Sequence, residues 1–200
     1  MTHPHTIDDG HGSRMTFHGI AHDERGERLE VSGSVDPGAG PPMHVHQLQS
    51  ETITVQSGRI GVSVAGEPDR YAEAGESVHF PAGVAHRFWN AGETELVLTG
   101  EAQPPLNLEW FLTQLYASSA RNGGRPGAFD GAYLATRYRE EFDVLTIPAP
   151  VRRFILPVVL RLGRVLGRYG RYADAPTPAT RRPGATLPGR SATSARSSAG

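Results

Sequence analysis

The sequence predicts a mainly β chain, a small antiparallel barrel or sandwich followed by an α-helical extension. Three observations lead there. The chain has 24 Gly and 16 Pro, 40 of its 200 positions, which suits turn-rich β structure with a low-complexity segment better than a helix bundle. From Met15 to about Glu101, short β-like runs recur at close spacing with Gly- and Pro-containing turns between them, as in double-sheet and barrel folds. After Gln103-Pro104-Pro105 the apolar spacing becomes helical.

The elements follow in order. Residues 1–13 are polar and contain Gly and His, so a disordered leader is expected. Residues 14–102 form the expected β domain. Leu29, Val31, Gly33 and Val35 alternate with polar residues, and Thr52–Val55, Arg59–Val64, Ser77–Phe80, Val84–Trp89 and Glu95–Thr99 follow as strands. Ser57-Gly58 and Gly66-Glu67-Pro68-Asp69 supply turns. Residues 103–172 form the expected helical extension. Leu106, Trp110, Phe111, Leu112, Leu115 and Tyr116 lie at helical spacing, a second helix is expected over Ala132–Phe142, and a third over Val151–Tyr169. Residues 173–200 are Ala, Ser, Thr, Pro, Gly and Arg with a single leucine, the composition of a disordered tail.

Composition removes whole classes of chemistry. There is no Cys, hence no disulfide, thiol nucleophile or thiolate metal site. All 20 basic residues are Arg, which excludes Schiff-base and P-loop lysine chemistry. Residues 1–150 carry ten Arg against twenty acids, while 151–200 carry ten Arg against Asp174 alone. That split describes an acidic body with a basic C-terminal arm, and no nucleic-acid-binding signature accompanies it. The first 30 residues lack an apolar stretch and the longest such run, Phe154–Leu160, is far too short to span a bilayer. A cytoplasmic protein is expected.

The residues that carry chemistry lie between Gly38 and Asn90. His44-Val45-His46 places two imidazoles on one face of a strand, Glu51 opens the next strand, and His86 follows the Pro81-Ala82-Gly83 turn. Three imidazoles and one carboxylate converging from adjacent strands suit one divalent transition metal, Fe, Mn, Ni, Cu or Zn. His79 is read as facing away, His18 and His22 as surface residues, and His3, His5 and His11 as lying outside any ordered site. Gly58, Gly75 and Gly83 are read as turn glycines, with Asn90 capping a turn.

In full the spacing is Gly38-x5-His44-x-His46-x4-Glu51-x6-Gly58, then Gly75-x5-Pro81-x-Gly83-x2-His86-x3-Asn90. This resembles the two motifs of the cupin superfamily, with a gap of 16 residues between them. The layout is similar to small single-domain (type 2), quercetin dioxygenase-like members. The resemblance implies a small antiparallel cupin jelly-roll barrel that binds its metal inside through His44, His46, Glu51 and His86. Met43, Ile53, Val55, Val62, Phe80, Phe88 and Leu98 are the candidate lining of a substrate pocket. So apolar a pocket favours an aromatic or aliphatic molecule over a phosphosugar; Arg59 and Arg87 are the nearest basic residues.

The leading functional expectation is a metal-dependent dioxygenase-like enzyme acting on a small apolar or phenolic molecule, with Glu51 as ligand and proton acceptor. The alternatives are a non-catalytic metal-dependent binding or sensing module, and a cupin isomerase or epimerase; the fold alone does not separate them. The expected partners are a small-molecule ligand and a second copy in a homodimer, with no nucleic acid. In Val151–Tyr169 an apolar arc opposes Arg153, Arg161, Arg164 and Arg168. Packing on the barrel or a second protomer is the favoured reading, because the acidic body repels anionic lipid; contact with a membrane surface is the other.

Overall fold

The computed structural model describes residues 2–180. Alternation sets the β architecture. In β3 (Gly26–Val35), Leu29 and Val35 are buried on one face, and β3 pairs with β2 (Ser13–Asp23) and β10 (Leu96–Gln103). With β1 (His5–Asp8), β5 (Ser50–Ser57) and β8 (Ser77–Phe80) they form a six-stranded antiparallel sheet, ordered β1-β2-β3-β10-β5-β8. The facing sheet has five strands, β4 (His44–His46), β6 (Arg59–Val64), β7 (Arg70–Glu73), β9 (Ala85–Asn90) and β11 (Phe142–Val144), ordered β11-β4-β9-β6-β7.

The inner face of the larger sheet serves two cores. Val35, Leu96 and Leu98 pack with Ile53, Val55, Ile60 and Phe88 between the sheets. Farther along the same strands, Leu29 and Ala102 pack with Phe17 beneath the helices. Each such Val, Leu, Ile or Phe contributes about 1.5–3 kcal/mol on burial. The extension is therefore a cap on the open half of the sheet. Its helices α1 (Leu108–Arg121) and α2 (Ala128–Arg137) supply Trp110, Phe111 and Leu134 to that second core. Gly58 holds the β5–β6 turn with φ of +87°, a left-handed conformation that glycine adopts at little cost. Asn90, 1% exposed, caps its turn by donating from Nδ2 to the Val35 and Thr94 carbonyls.

A buried carboxylate ties the cap together. Glu141 is fully buried; it accepts from the Asn107 backbone N–H at 3.2 Å, Asn107 Nδ2 at 2.7 Å and the Ala179 N–H at 2.7 Å. A negative charge at the start of α1 also suits the helix dipole.

Several expectations are corrected. The leader is not disordered over 1–13, because His5–Asp8 pairs with β2 and Ile7 enters the second core. His3 and His5 contact the Glu109 carboxylate at 3.1 and 3.4 Å. The second helix spans Ala128–Arg137, not Ala132–Phe142; Phe142 instead opens β11, which pairs with β4. The stretch 103–172 is thus not wholly helical, and Gln103 itself ends β10. The third helix begins as a π-helical turn over Val151–Ile155 and becomes α3 at Leu156–Val165, with Pro157 in the first turn, where a missing N–H costs little. Its apolar arc does not pack on the barrel: Phe154, Val158 and Val165 are 62%, 60% and 84% exposed. Of the expected tail, residues 173–180 lie against the cap, with Arg137 and the Tyr138 hydroxyl donating to the Pro176 carbonyl. Residues 181–200 lie outside the described residues.

Candidate metal centre

Four side chains converge where the two cores meet. One donor atom each from His44, His46, Glu51 and His86 lies within 4.8 Å of the other three. Strand geometry delivers them. His44 and His46 share a face of β4, His44 stands opposite His86 across the β4–β9 pair, and Glu51 enters from β5 in the other sheet. The Gly83 N–H donates to the His46 carbonyl at 2.7 Å, so the turn ahead of β9 is fastened to β4.

The hydrogen bonds assign the imidazole protons. His44 Nδ1 faces the Pro42 carbonyl at 2.8 Å, His86 Nδ1 faces the Val84 carbonyl at 2.9 Å, and His46 Nδ1 faces Gln49 Oε1 at 3.4 Å. Each acceptor takes an Nδ1–H, which leaves every Nε2 lone pair aimed inward. His44 Nε2 lies 3.1 Å from His46 Nε2, and Glu51 Oε2 lies 3.1 Å from His86 Nε2 and 3.9 Å from His46 Nε2. Ligands about 2.1 Å from a common ion sit about 3 Å apart at right angles and 4.2 Å apart when opposed, so the spacing fits a first-row ion.

Electrostatics agree with that charge state. Burial, reinforced by the neighbouring imidazoles, pushes His44 down to about 4, and burial also lowers His46. Burial alone would raise the Glu51 carboxyl, but the imidazoles set around it, His86 at 3.1 Å first and then His46 and His44, hold it at about 2. Two lowered imidazoles and an ionised carboxylate are a cation-binding set at neutral pH.

The walls differ in origin. Phe80 stacks on His86 with ring centroids 3.9 Å apart and planes 8° from parallel, whereas Phe142 meets the His46 ring edge-on at 5.5 Å. Gln49, 1% exposed, also donates from Nε2 to the Pro104 carbonyl at 2.8 Å. Tyr116 of α1 is pushed up to about 12 by burial and then by nearby carboxylates, Asp9 ahead of Glu51, so its hydroxyl stays protonated. Gln49 and Phe142 are not among the site residues expected from the sequence: Gln49 lies in an expected turn, and Phe142 belongs to the extension.

Of the expected pocket lining, Ile53, Val55, Val62, Phe80, Phe88 and Leu98 pack into the inter-sheet core at 8% exposure or less, while Met43 is half-buried beside His44. Arg59 and Arg87 are exposed and lie over the Tyr71 and Trp89 rings. His79 is exposed, bonded to Thr52 at 3.0 Å. His18 pairs with Ser32 at 2.8 Å, and His22 is exposed. Two surface grooves, of about 320 and 390 Å³, are lined by none of the four converging residues.

Residues 32–100, which hold all four, match the family model described as Cupin domain. Together with the two facing antiparallel sheets, this identifies the β region as a cupin jelly roll. The chain is 34% identical over 68 residues to the probable oxidoreductase virH of Hypocrea virens, covering 33% of this chain and 31% of that protein. It is 37% identical over 67 residues to the oxidoreductase iacF of Pestalotiopsis fici, covering 32% and 33%. The chain thus spans about a third of the length of these curated relatives. Among solved structures, an RmlC-like cupin from Shewanella frigidimarina is similar with a TM-score of 0.43 and 25% identity, over 51% of this chain and 85% of that one. A recombinant oxalate oxidase in complex with glycolate gives 0.39 and 24%, over 46% and 51%.

Proposed function

We propose that this cupin-domain chain holds one divalent transition metal, Fe, Mn, Ni, Cu or Zn, on His44, His46, Glu51 and His86, and acts as an oxygenase-type enzyme on a small apolar or phenolic molecule. The observation that carries the reading is the convergence of three Nε2 lone pairs and one carboxylate within 4.8 Å, with each Nδ1 turned to an oxygen acceptor. Such an ion, when bound, supplies Lewis-acid polarisation of a substrate oxygen and a site for O₂ chemistry. The chain's own residues do the rest. Met43 and half-buried His44 mark the side of approach. Phe80 and Phe142 shield the imidazoles from water, and Glu51, when it dissociates from the ion, accepts a proton from a phenolic hydroxyl brought beside it. The two fungal relatives named as oxidoreductases support redox chemistry over isomerisation. Arg59 and Arg87, both outside, bring no positive charge to the site for a phosphorylated sugar.

A second reading, a non-catalytic metal-dependent binding module, is favoured by one observation: six of the seven expected lining side chains fill the barrel core with one another. Metal analysis of untagged protein tests the shared premise, and about one ion per chain is expected. Near-stoichiometric metal in a His44→Ala, His86→Ala variant would overturn it. Oxygen uptake by the loaded protein with a panel of phenols then separates the two readings. Saturable binding without uptake or product, aerobically or anaerobically, rejects the oxygenase.

A further inference from the structure

We infer that the segment 151–168 is a docking surface for an anionic lipid membrane, so that the barrel works while held at a bilayer face. The segment presents one outward apolar stripe. Phe154, Ile155, Val158, Leu162, Val165 and Leu166 are each at least half exposed. At 100° per residue Val158, Leu162, Val165 and Leu166 fall within an arc of about 100°. The other large exposed apolar residues, Ile20, Tyr71, Leu106 and Leu145, are far apart in sequence and come from different elements. A contiguous stripe of this kind marks an interaction site.

The outward orientation is built in. Gly163 faces inward, where an added Cβ would stand 2.4 Å from the Tyr169 hydroxyl, and Leu160 is buried beside it. Arg152 anchors the start of the segment to Asp143 at 2.6 Å. Turning the stripe toward the protein would break all three contacts.

Charge decides the occupant. Residues 151–172 contain six Arg and no acidic residue. Arg153, Arg161, Arg164 and Arg168, which flank the stripe, form no ion pair among the described residues. A second copy pairing stripe to stripe would set Arg rim against Arg rim, and the segment itself holds no acidic residue to neutralise either. Residues 181–200 contain one leucine as their only large apolar residue and four further Arg, a composition that adds to the basic character of this end of the chain. An anionic headgroup layer satisfies both features, apolar residues entering the acyl boundary and guanidiniums meeting phosphates. Repulsion from the acidic body is confined by screening, since the Debye length is about 8 Å at physiological ionic strength.

The test is co-sedimentation of the full chain with phosphatidylcholine vesicles, with and without phosphatidylglycerol, at low and high salt. Binding is expected only with the anionic lipid, and it should weaken with salt. Each surface Arg contributes about fivefold, so the Arg161→Gln, Arg164→Gln variant should bind roughly 30-fold more weakly. Leu162→Ser with Val165→Ser should lose about tenfold or more. Both variants should keep the wild-type melting temperature and metal content, because every changed side chain is exposed. A chain ending at residue 180 should still bind. Four results overturn the inference: no sedimentation at low salt, equal binding to neutral vesicles, complete loss of binding on removing 181–200, or a dimer that Val165→Ser dissociates while vesicles are ignored.

Discussion

The two halves of the candidate metal centre are built on different foundations. Glu51 and His86 come from β5 and β9, which lie inside their sheets with a paired strand on each side, and His86 is 1% exposed beneath Phe80. His44 and His46 come from β4, three residues long, bounded by β9 on one side and by β11 of the extension on the other. One pair is therefore held by the barrel itself and the other by a segment nearly a hundred residues downstream. The difference teaches that the cap is structural to the site: without β11, the strand carrying two of the four candidate ligands becomes a three-residue edge.

The comparison is broken most severely by removing the deeper imidazole. His86→Ala is expected to abolish metal retention and lower the melting temperature. It deletes a ligand, unpairs Glu51 and opens a cavity against Phe80, and a buried carboxylate that loses its partner is costly. His44→Ala, at the half-buried side, should cost less stability while still removing most metal. Metal analysis alongside thermal unfolding checks the order; equal stability losses would erase the distinction between the halves.

The cap side is challenged next by Phe142→Ala. The ring is 6% exposed and packs on Phe111 at 4.6 Å as well as on His46. A loss of about 3–5 kcal/mol is expected from the cavity, measured by denaturant unfolding, with weakened metal affinity as the sign that β4 has moved. A stability loss with unchanged affinity would show that β4 holds its ligands unaided. A smaller effect is expected from Gln49→Ala, which frees the His46 Nδ1–H. Loss of such an orienting partner typically costs 10–100-fold in affinity, and metal competition with a chelator reads it.

How far the sequence reveals this arrangement follows from how local each feature is. His44 and His46 are legible because alternation puts them on one strand face. Glu51 and His86 are legible through turn-bounded spacing that survives translation into hairpins. The cap's share is not. Phe142-Asp143-Val144 is too short to show a period, and its pairing with β4 is a long-range contact that no window contains. Ile7 is missed because one buried residue among polar neighbours gives no pattern. For 151–168 the amphipathic stripe is evident, but periodicity says only that a face exists; which side of the helix meets the protein is settled by Gly163 against Tyr169.

The β4 pair should also dominate a pH dependence of stability. Burial pushes His44 down to about 4 and lowers His46, whereas an imidazole in the unfolded chain titrates near 6.5. The folded pKa lies below the unfolded one, so the unfolded state takes up protons that the folded site refuses. Stability of the chelator-treated protein should therefore be flat above about pH 6.5 and fall as the pH drops from there toward 4. Each imidazole contributes a slope of at most about 1.4 kcal/mol per pH unit. Glu51, held at about 2, adds its own loss only below about pH 4.5, where the unfolded carboxyl begins to protonate. His44→Ala should remove part of the upper slope and leave the lower one. Denaturant midpoints measured across that range, on wild type and variant, check it. An unchanged slope between pH 6.5 and 4 would mean that His44 is solvated in the metal-free protein and that β4 is already loose before any ligand is removed.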